Sequence, residues 1–180
     1  VYTKDVAANI SSAAAVSTIT YSTNTPADPT LALADAVTSS STHVRSLTAA
    51  LAIGNDATAV RWCVSETQTT KPANGTTACA GGAGPSSGWF TTEPTTFTFA
   101  AGEGSKTAYA WVANAANNTN DTPVSFSITV DTVLPATATV ALSDTNTSST
   151  TATNVSPAGL AITADTNAVV CVSTEIKPSI

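Results

Sequence analysis

The run VSFSITV (Val124–Val130) decides the fold class, because apolar and hydroxyl side chains alternate along it without a break. A period of two is typical of a β-strand with one buried face, so the apolar side chains share one face and the hydroxyls share the other. The same alternation occurs upstream in TTFTFA (residues 95–100) and KTAYAWVA (residues 106–113). The three runs therefore predict three strands.

Further runs of strand length lie towards the N-terminus, with turn residues between them. Thr and Val are frequent and suit pleated strands, whereas the helix formers Glu, Lys, Arg, Gln and Met are scarce. The predicted strands are Thr30–Ala34, residues 47–53, Ala59–Ser65, residues 95–100, residues 106–113 and Val124–Val130. About seven short strands in roughly 107 residues favour an all-β sandwich.

Aromatic side chains supply most of the apolar area in a chain otherwise built from Ala, Val and Thr. We expect them to fill the space between the two sheets. They are Trp62, Trp89, Phe97, Phe99, Tyr109, Trp111 and Phe126.

The chain repeats itself at one fixed distance along the sequence. This distance, 109 residues (142 − 33, from Leu33 to Leu142), is named the repeat offset. Residues 30–53 match residues 139–162, and the same offset aligns positions near both ends of the chain. The matched pairs include Leu33 with Leu142, Leu51 with Leu160, Ile53 with Ile162, Pro26 with Pro135 and Ile19 with Ile128. A fixed period of this kind predicts a tandem array of similar units.

The repeat predicts three domain segments. Residues 1–25 are expected to be the last two strands of one repeat, residues 26–132 a complete repeat, and residues 133–180 the first strands of the next. On this interpretation the sequence begins and ends in mid-repeat, so we expect the natural polypeptide to be much longer.

Several motifs resemble bacterial immunoglobulin-like repeats of very large secreted surface proteins and adhesins. They are WCVSET (residues 62–67), Gly88-Trp89, EPTTFTFAAGEGSKTAYAWVANAANN (residues 93–118) and SITVDTVLP (residues 127–135). The chain departs from that family at Ala113-Asn114, where Lys-Asp is frequent, and at Asn117, where Gly is frequent. The resemblance implies an immunoglobulin-like sandwich in a multi-domain extracellular chain, without catalytic residues.

Cys63 and Cys79 lie close together in the sequence, one on a predicted strand and one in the Gly-rich loop that follows. We expect a disulfide between them that pins this loop, and two buried thiols are the alternative. No CxxC motif and no Cys/His cluster occurs, which argues against zinc. After a one-residue deletion Cys171 aligns with Cys63, so its partner is expected beyond residue 180.

The chemistry-bearing residues do not form a catalytic pattern. His43 is the only histidine and lies in a polar segment, where a solvated loop side chain is expected rather than a triad member. The carboxylates are spread singly. Asp131 together with Asp144 of the next repeat could bind Ca²⁺ at a joint between repeats, and two solvated carboxylates are the alternative. We predict that the chain is not an enzyme and holds no resident cofactor.

Six Asn-X-Ser/Thr sequons fall in predicted loops or at strand ends, where glycans could attach. A chain this rich in Ser and Thr also produces sequons by chance, so both interpretations stay open. The sequons begin at Asn9, Asn74, Asn117, Asn120, Asn146 and Asn154.

The net charge is −6, and the six Lys and Arg residues are scattered singly. No basic stripe could neutralise phosphates, which argues against nucleic acid and against an anionic membrane surface. No apolar run has the length of a membrane span, so no membrane insertion is predicted.

These observations favour a structural segment of a stalk, fibre or adhesin at the cell surface. The expected partners are neighbouring repeats or copies of the chain, and host or cell-surface glycans or proteins. One alternative is a subunit of a self-assembling extracellular filament or pilus whose strands complement one another between subunits. Another is a carbohydrate-binding module of a secreted enzyme, which would need exposed aromatic side chains such as Trp89.

Overall fold

The computed structural model of the protein describes residues 1–13, 16–55, 57–152, 158–166 and 168–173. These residues form strands, turns and loops, with one helical turn at Pro85–Gly88 (α1). The prediction of an all-β chain is therefore confirmed. The chain divides into two compact units, a first unit Val1–Thr132 and a second unit Val133–Ile180.

Within its described residues, the first unit contains seven strands. They are β1 Thr30–Ala34, β2 His43–Val44, β3 Thr48–Gly54, β4 Ala59–Ser65, β5 Thr96–Thr98, β6 Gly104–Asn114 and β7 Val124–Val130. Strands β1, β4 and β7 have the predicted bounds, and β3, β5 and β6 differ from the prediction by one or two residues at each end.

These strands form two sheets, a three-stranded sheet of order β1-β3-β5 and a four-stranded sheet of order β2-β7-β6-β4. Neighbouring strands are antiparallel, except that β2 runs parallel to β7. The chain therefore contributes β1 to one sheet and β2, only a few residues later, to the other.

The two sheets share one apolar core, into which alternate side chains of their strands point. The rings of Phe97 and Phe99 in this core meet edge to face, with 5.1 Å between their centroids. Full burial of each large aliphatic or aromatic side chain contributes roughly 1.5–3 kcal/mol to folding. The buried core residues are Leu31, Leu33, Val44, Ala49, Leu51, Ile53, Val64, Phe97, Phe99, Ala108, Ala110, Val112, Ile128 and Val130.

The sequence predicts a polar loop around His43, and the structure places the short strand β2 there instead. Thr129 N–H donates to Thr42 O at 2.9 Å, and Asp131 N–H donates to Val44 O at 2.9 Å. Val44 is buried in the core, whereas His43 is exposed. Two residues are too few to show a period, so pairing with β7 defines this strand and its own sequence pattern does not.

Two tryptophans lie outside the space between the sheets, which corrects the expectation from the sequence. On β6, Ala110 and Val112 point into the core, so Trp111 between them points to the other face of the sheet. Trp111 and Trp89 are each 1% exposed, because they belong to a second buried cluster, the outer cluster. The outer cluster consists of Cys63, Cys79, Trp89, Trp111 and Ala113.

The second unit contains an antiparallel hairpin of strands β8 (Thr139–Ser143) and β9 (Gly159–Thr163). Leu142 pairs with Leu160 across this hairpin, and Leu33 pairs with Leu51 across β1 and β3. The two pairs are equivalent, because the repeat offset separates Leu33 from Leu142 and Leu51 from Leu160. The apolar side chains differ in burial, since Leu33 is 1% exposed and Leu142 is 58% exposed.

The turns that follow β1 and β8 have the same hydrogen bonds. The Oδ1 atoms of Asp35 and Asp144 each accept the backbone N–H groups two and three residues further on, at 2.7–3.0 Å. The left-handed residues Ser39 and Ser148 have φ of 58° and 55°. Because these bonds are local, the same turn forms in both units.

A third match lies at the N-terminus, where residues 3–11 fold as residues 112–120 do. Each segment forms a tight turn with a left-handed residue, Ala8 at φ 73° or Asn117 at φ 63°. One antiparallel bridge closes each turn, Lys4 with Ile10 and Ala113 with Thr119. The sequence predicts two strands in residues 1–25, and none forms in residues 1–13 or 16–25. An isolated hairpin is marginal in water, which accounts for this difference.

Candidate functional site

The outer face of the β4–β6 pair is the most elaborately built region of the described chain. Residues 66–90, the covering segment, lie over this face and contribute Cys79 and Trp89 to the outer cluster, which they bury together with Cys63 and Trp111. The Cys63–Cys79 disulfide ties the covering segment to β4, so the expected bridge is present and two free thiols are excluded. At its far end the segment pairs with the edge of β4, where Phe90 N–H donates to Trp62 O at 2.7 Å.

A buried polar network anchors the start of the covering segment. Ser65 is 0% exposed, and its hydroxyl donates to Ala80 O while accepting the N–H of Thr67 at 2.9 Å and of Gln68 at 3.1 Å. The Gln68 side chain returns to the same loop, since its Oε1 accepts Ala80 N–H at 2.7 Å. Polar groups buried in this way are stabilising because all of them have partners.

Both indole N–H groups of the outer cluster bond to the covering segment. Trp111 Nε1 donates to Gln68 O at 2.8 Å, and Trp89 Nε1 donates to Thr77 O at 2.8 Å. Buried indole groups need such partners, and here they fix the height of the loop above the sheet. Because Trp89 is buried, it cannot form the sugar-stacking platform that the carbohydrate-binding interpretation requires.

Close packing explains why the covering segment is rich in glycine. A Cβ on Gly82 would lie 2.5 Å from both Cys79 Sγ and Gly88 O, so any side chain there would displace the disulfide or the backbone. Gly88 itself has φ of 76°, in the left-handed region that favours glycine. The glycine-rich run GGAGPSSG (residues 81–88) therefore belongs to a compact loop, and the expected disulfide pins it.

A second polar cluster joins the segment before β1 to the connection between β6 and β7. Asp28 Oδ2 accepts the Thr122 hydroxyl at 2.5 Å, and Asp28 Oδ1 accepts Asn120 Nδ2 at 3.2 Å. The hydrogen bond from the Thr122 hydroxyl, followed by the one from its backbone, lowers the pKa of Asp28 below its usual value. Asn120 also accepts Val112 N–H at 2.8 Å, so it completes the end of the β6 ladder.

The position of Asn120 corrects its assignment as a glycan acceptor. It is 0% exposed, and its amide Nδ2 donates to Thr122 O at 2.5 Å. At the Asn117 sequon, Asn117 itself is half-buried, while its Thr119 is buried and donates to Pro72 O at 3.0 Å. A glycan does not fit at Asn120 in the folded unit. Sequence reasoning missed this because a sequon carries no information about burial.

Three other sequon asparagines lie at the surface of the described chain. Asn9, Asn74 and Asn146 are exposed and lie in turns, as expected for glycan acceptors. The side chain of Asn74 already has a structural role, since its Oδ1 accepts the backbone N–H of Thr76 at 2.9 Å and of Thr77 at 2.9 Å. Asn154 lies outside the described residues.

The turn after β1 holds a buried carboxylate. Asp35 accepts the backbone N–H of Thr38 at 2.8 Å, of Arg45 at 3.1 Å and of Val37 at 3.0 Å. These bonds keep the pKa of Asp35 well below its usual value, and the bond from Thr38 has the largest effect. His43, on the neighbouring strand, contacts Thr42 Oγ1 with its Nδ1 at 3.1 Å. This arrangement closes the turn that follows β1.

The carboxylates considered for calcium have separate surroundings. Asp131 is exposed at the end of β7, and Asp144 is buried in the turn after β8, where it accepts backbone N–H groups. Close to Asp131, Glu103 accepts the hydroxyl and the N–H of Thr132, which lowers the pKa of Glu103. Among the residues that the structure describes, no group of three or more His, Cys, Asp or Glu side chains could hold a metal ion.

Sequence reasoning overlooked four side chains of these networks, namely Asp28, Ser65, Gln68 and Glu103. Each has at least one partner that is distant in the sequence, so no local motif indicates the network that it joins. In the described part of the chain, no helix is long and apolar enough to cross a membrane. Comparisons with protein-family models, with curated proteins and with solved structures found no match to the chain.

Proposed function

We propose that the chain is a stretch of tandem immunoglobulin-like repeats that serves as a structural segment of an extracellular stalk, fibre or adhesin. The observation that carries the proposal is the recurrence of the same turns, bridges and strand register at the repeat offset. A sequence offset alone could arise from biased composition. Identical hydrogen bonds at that offset, in three parts of the chain, support one structural unit used repeatedly.

The strand order of the first unit supports the immunoglobulin-like type. In that fold one sheet carries strands A, B and E, and the other carries C, F and G. Strands β1, β3 and β5 would be A, B and E, while β4, β6 and β7 would be C, F and G. Strand β2 follows β1 and joins the opposite sheet, so the first strand would be shared between the two sheets.

The chemistry of the chain supports an extracellular location. The buried Cys63–Cys79 disulfide forms and persists in oxidising surroundings, which are those of secreted and surface proteins. The low content of charged residues, 10%, and the strand faces rich in hydroxyl and methyl groups suit lateral contact with similar chains.

The use of the polar residues supports a structural role over catalysis. In the described residues, the carboxylates of Asp28, Asp35 and Glu103 bond to backbone N–H and hydroxyl groups at turns and near strand ends. A lengthwise pull on such a unit would be opposed by the strand ladders and by the disulfide.

Electron microscopy of the natural polypeptide that contains this chain tests the proposal. We expect rods or fibres with a regular axial spacing of domains, and an intact mass well above the 17.9 kDa of the 180 residues. A compact particle without internal repetition would contradict the structural assignment.

A further inference from the structure

The segment that leads towards β1, residues 22–28, is held against the turn that follows β6, and we name it the joint segment. Asn114 Nδ2 donates to Asn24 O at 2.7 Å. Asn118 Nδ2 donates to Ser22 O at 2.8 Å and to Asn24 O at 3.1 Å. Side-chain amides of one turn therefore fix two backbone carbonyls of a segment that forms no strand.

The downstream part of the joint segment is anchored to the same unit by other contacts. Pro26 is buried, and its ring fixes the φ angle of that residue. The Asp28 carboxylate accepts the hydroxyl of Thr122 and its N–H at 3.2 Å, and Asp28 O accepts Asn55 Nδ2 at 2.9 Å. Little conformational freedom is left to the backbone between the two anchored ends.

The equivalent segment after β7 is held as well, by a different side chain. Thr132 lies one repeat offset after Thr23 of the joint segment. Its N–H donates to Glu103 Oε2 at 2.9 Å, and its hydroxyl donates to Glu103 Oε1. Side chains of the first unit thus bind the chain on its way to β1 and again after it leaves β7.

The turn that presents the two amides recurs at residues 3–11 with one informative change. Asp5 occupies the position of Asn114, and Asn9 occupies that of Asn118. Oδ1 of Asp5 or Asn114 accepts the backbone N–H groups two and four residues further on, at 2.9–3.1 Å. A carboxylate cannot donate, and Asn9 Nδ2 instead donates to Asp5 Oδ2 at 3.0 Å. Both residue types close the same turn, but only asparagine supplies an amide that can hold a neighbouring segment.

We propose that Asn114 and Asn118 are positioning residues that stiffen the joint between two repeats. The proposal rests on the proposed function, which takes residues 22–28 as the connection from one repeat to the next. It adds that the stiffness of a joint is set by one side chain of this turn. An asparagine at the position of Asn114 holds the joint segment, and an aspartate there leaves it loose.

Chymotrypsin cleavage of the full chain after Tyr21 tests the proposal, because Tyr21 is exposed and directly precedes Ser22. A protease binds extended backbone on both sides of the bond, so the joint segment must leave the turn before cleavage. The rate then reports the population of the open form. Asn114→Asp is the decisive variant, since Asp5 closes the equivalent turn. Mass spectrometry of the fragments follows this bond alone.

We expect the parent chain to be cleaved at this bond at least about tenfold more slowly than a synthetic peptide of residues 16–28. Asn114→Asp and Asn118→Ala should each accelerate cleavage by about fivefold or more, because each removes hydrogen bonds to the joint segment. Asn146→Asp is the matched control and should follow the parent, since Asn146 is exposed in the second unit. A melting temperature like that of the parent would show that each variant folds.

Two results would overturn the proposal. The parent chain could be cleaved as fast as the peptide, which requires no variant to fold. Alternatively, folded Asn114→Asp and Asn118→Ala could be cleaved at the rate of the parent. Either result, together with rods in electron micrographs, would leave the proposed function standing and overturn only the stiff joint. A compact particle without repetition would remove the proposed function, and with it the assignment of residues 22–28 as a joint.

Discussion

Cys63 and Trp111 are direct neighbours across β4 and β6, on the face of the four-stranded sheet that points away from the shared core. The disulfide and the indole ring are therefore buried together under the covering segment. The β4–β6 part of this sheet is thus covered on both faces, by the other sheet on one side and by a loop on the other.

The disulfide is expected to be a main contributor to the stability of the first unit. Replacement of both cysteines, Cys63→Ala with Cys79→Ala, should lower the free energy of unfolding by about 3 kcal/mol, as expected for a closed loop of this length. Urea titration followed by tryptophan emission measures this, because all three tryptophans precede residue 133. Cys171→Ser is the control, since this free cysteine is exposed. Equal midpoints for the double variant and the parent would refute the prediction.

Equivalent leucines of the two hairpins should respond differently to truncation. Leu33→Ala leaves a cavity in the core and should destabilise the first unit by roughly 2–5 kcal/mol. Leu142→Ala removes an exposed side chain and should change the stability of the second unit by less than about 0.5 kcal/mol. Hydrogen exchange of the β1–β3 and β8–β9 amides, at a concentration where the chain is monomeric, measures both. Similar losses at the two sites would show that Leu142 is buried in the folded chain, as Leu33 is.

Asn120→Ala should destabilise the first unit by about 1–3 kcal/mol, because Val112 N–H and Asp28 each lose a buried partner. Thermal or urea unfolding followed by tryptophan emission measures the loss. Ser125→Ala, at an exposed position of β7, is the control and should be neutral. A neutral result for Asn120→Ala would mean that water replaces its hydrogen bonds and that the site is open.

Acid should destabilise the first unit. The pKa values of Asp28, Asp35 and Glu103 are lower in the folded chain than their usual values, so the unfolded chain binds more protons. The stabilisation is complete above the unfolded value of about 4 and is lost as the pH falls through that value towards the folded pKa. Melting temperatures measured between pH 7 and pH 2 should therefore fall on the acid side.

Asp35→Asn isolates one of these carboxylates. It should lower the melting temperature at pH 7, because the amide cannot accept Arg45 N–H as the second carboxylate oxygen does. It should also reduce the further fall on acidification. Glu93→Gln, at an exposed position, is the matched control and should follow the parent curve. A parallel acid response in Asp35→Asn and the parent would show that Asp35 carries none of the pH dependence.

The strands were predictable where the alternation is long. Strand β7 has seven residues that alternate without a break, which suffices to define a period, and its bounds match the sequence prediction. Strand β2 has two residues and exists because β7 provides its partner, so no local pattern could reveal it.

The outer cluster was less predictable, for a related reason. Alternation shows that Trp111 and Ala110 lie on opposite faces of β6, but it does not show that both faces are buried. Which faces are buried depends on the covering segment, whose compactness rests on Gly82 and Gly88 and on distant hydrogen bonds. The disulfide was predictable because two cysteines at loop spacing suffice to suggest it.

The burial of Asn120 constrains how the chain can be produced. A cell that attaches sugars during translocation meets the Asn120 sequon while the polypeptide is still extended, before β6 and β7 have closed around it. Modification at that moment would place a bulky polar group where the amide must bond to Val112 and Asp28. Chains made in such a host would then separate into two populations, unmodified molecules that mature and modified ones that the quality-control machinery retains.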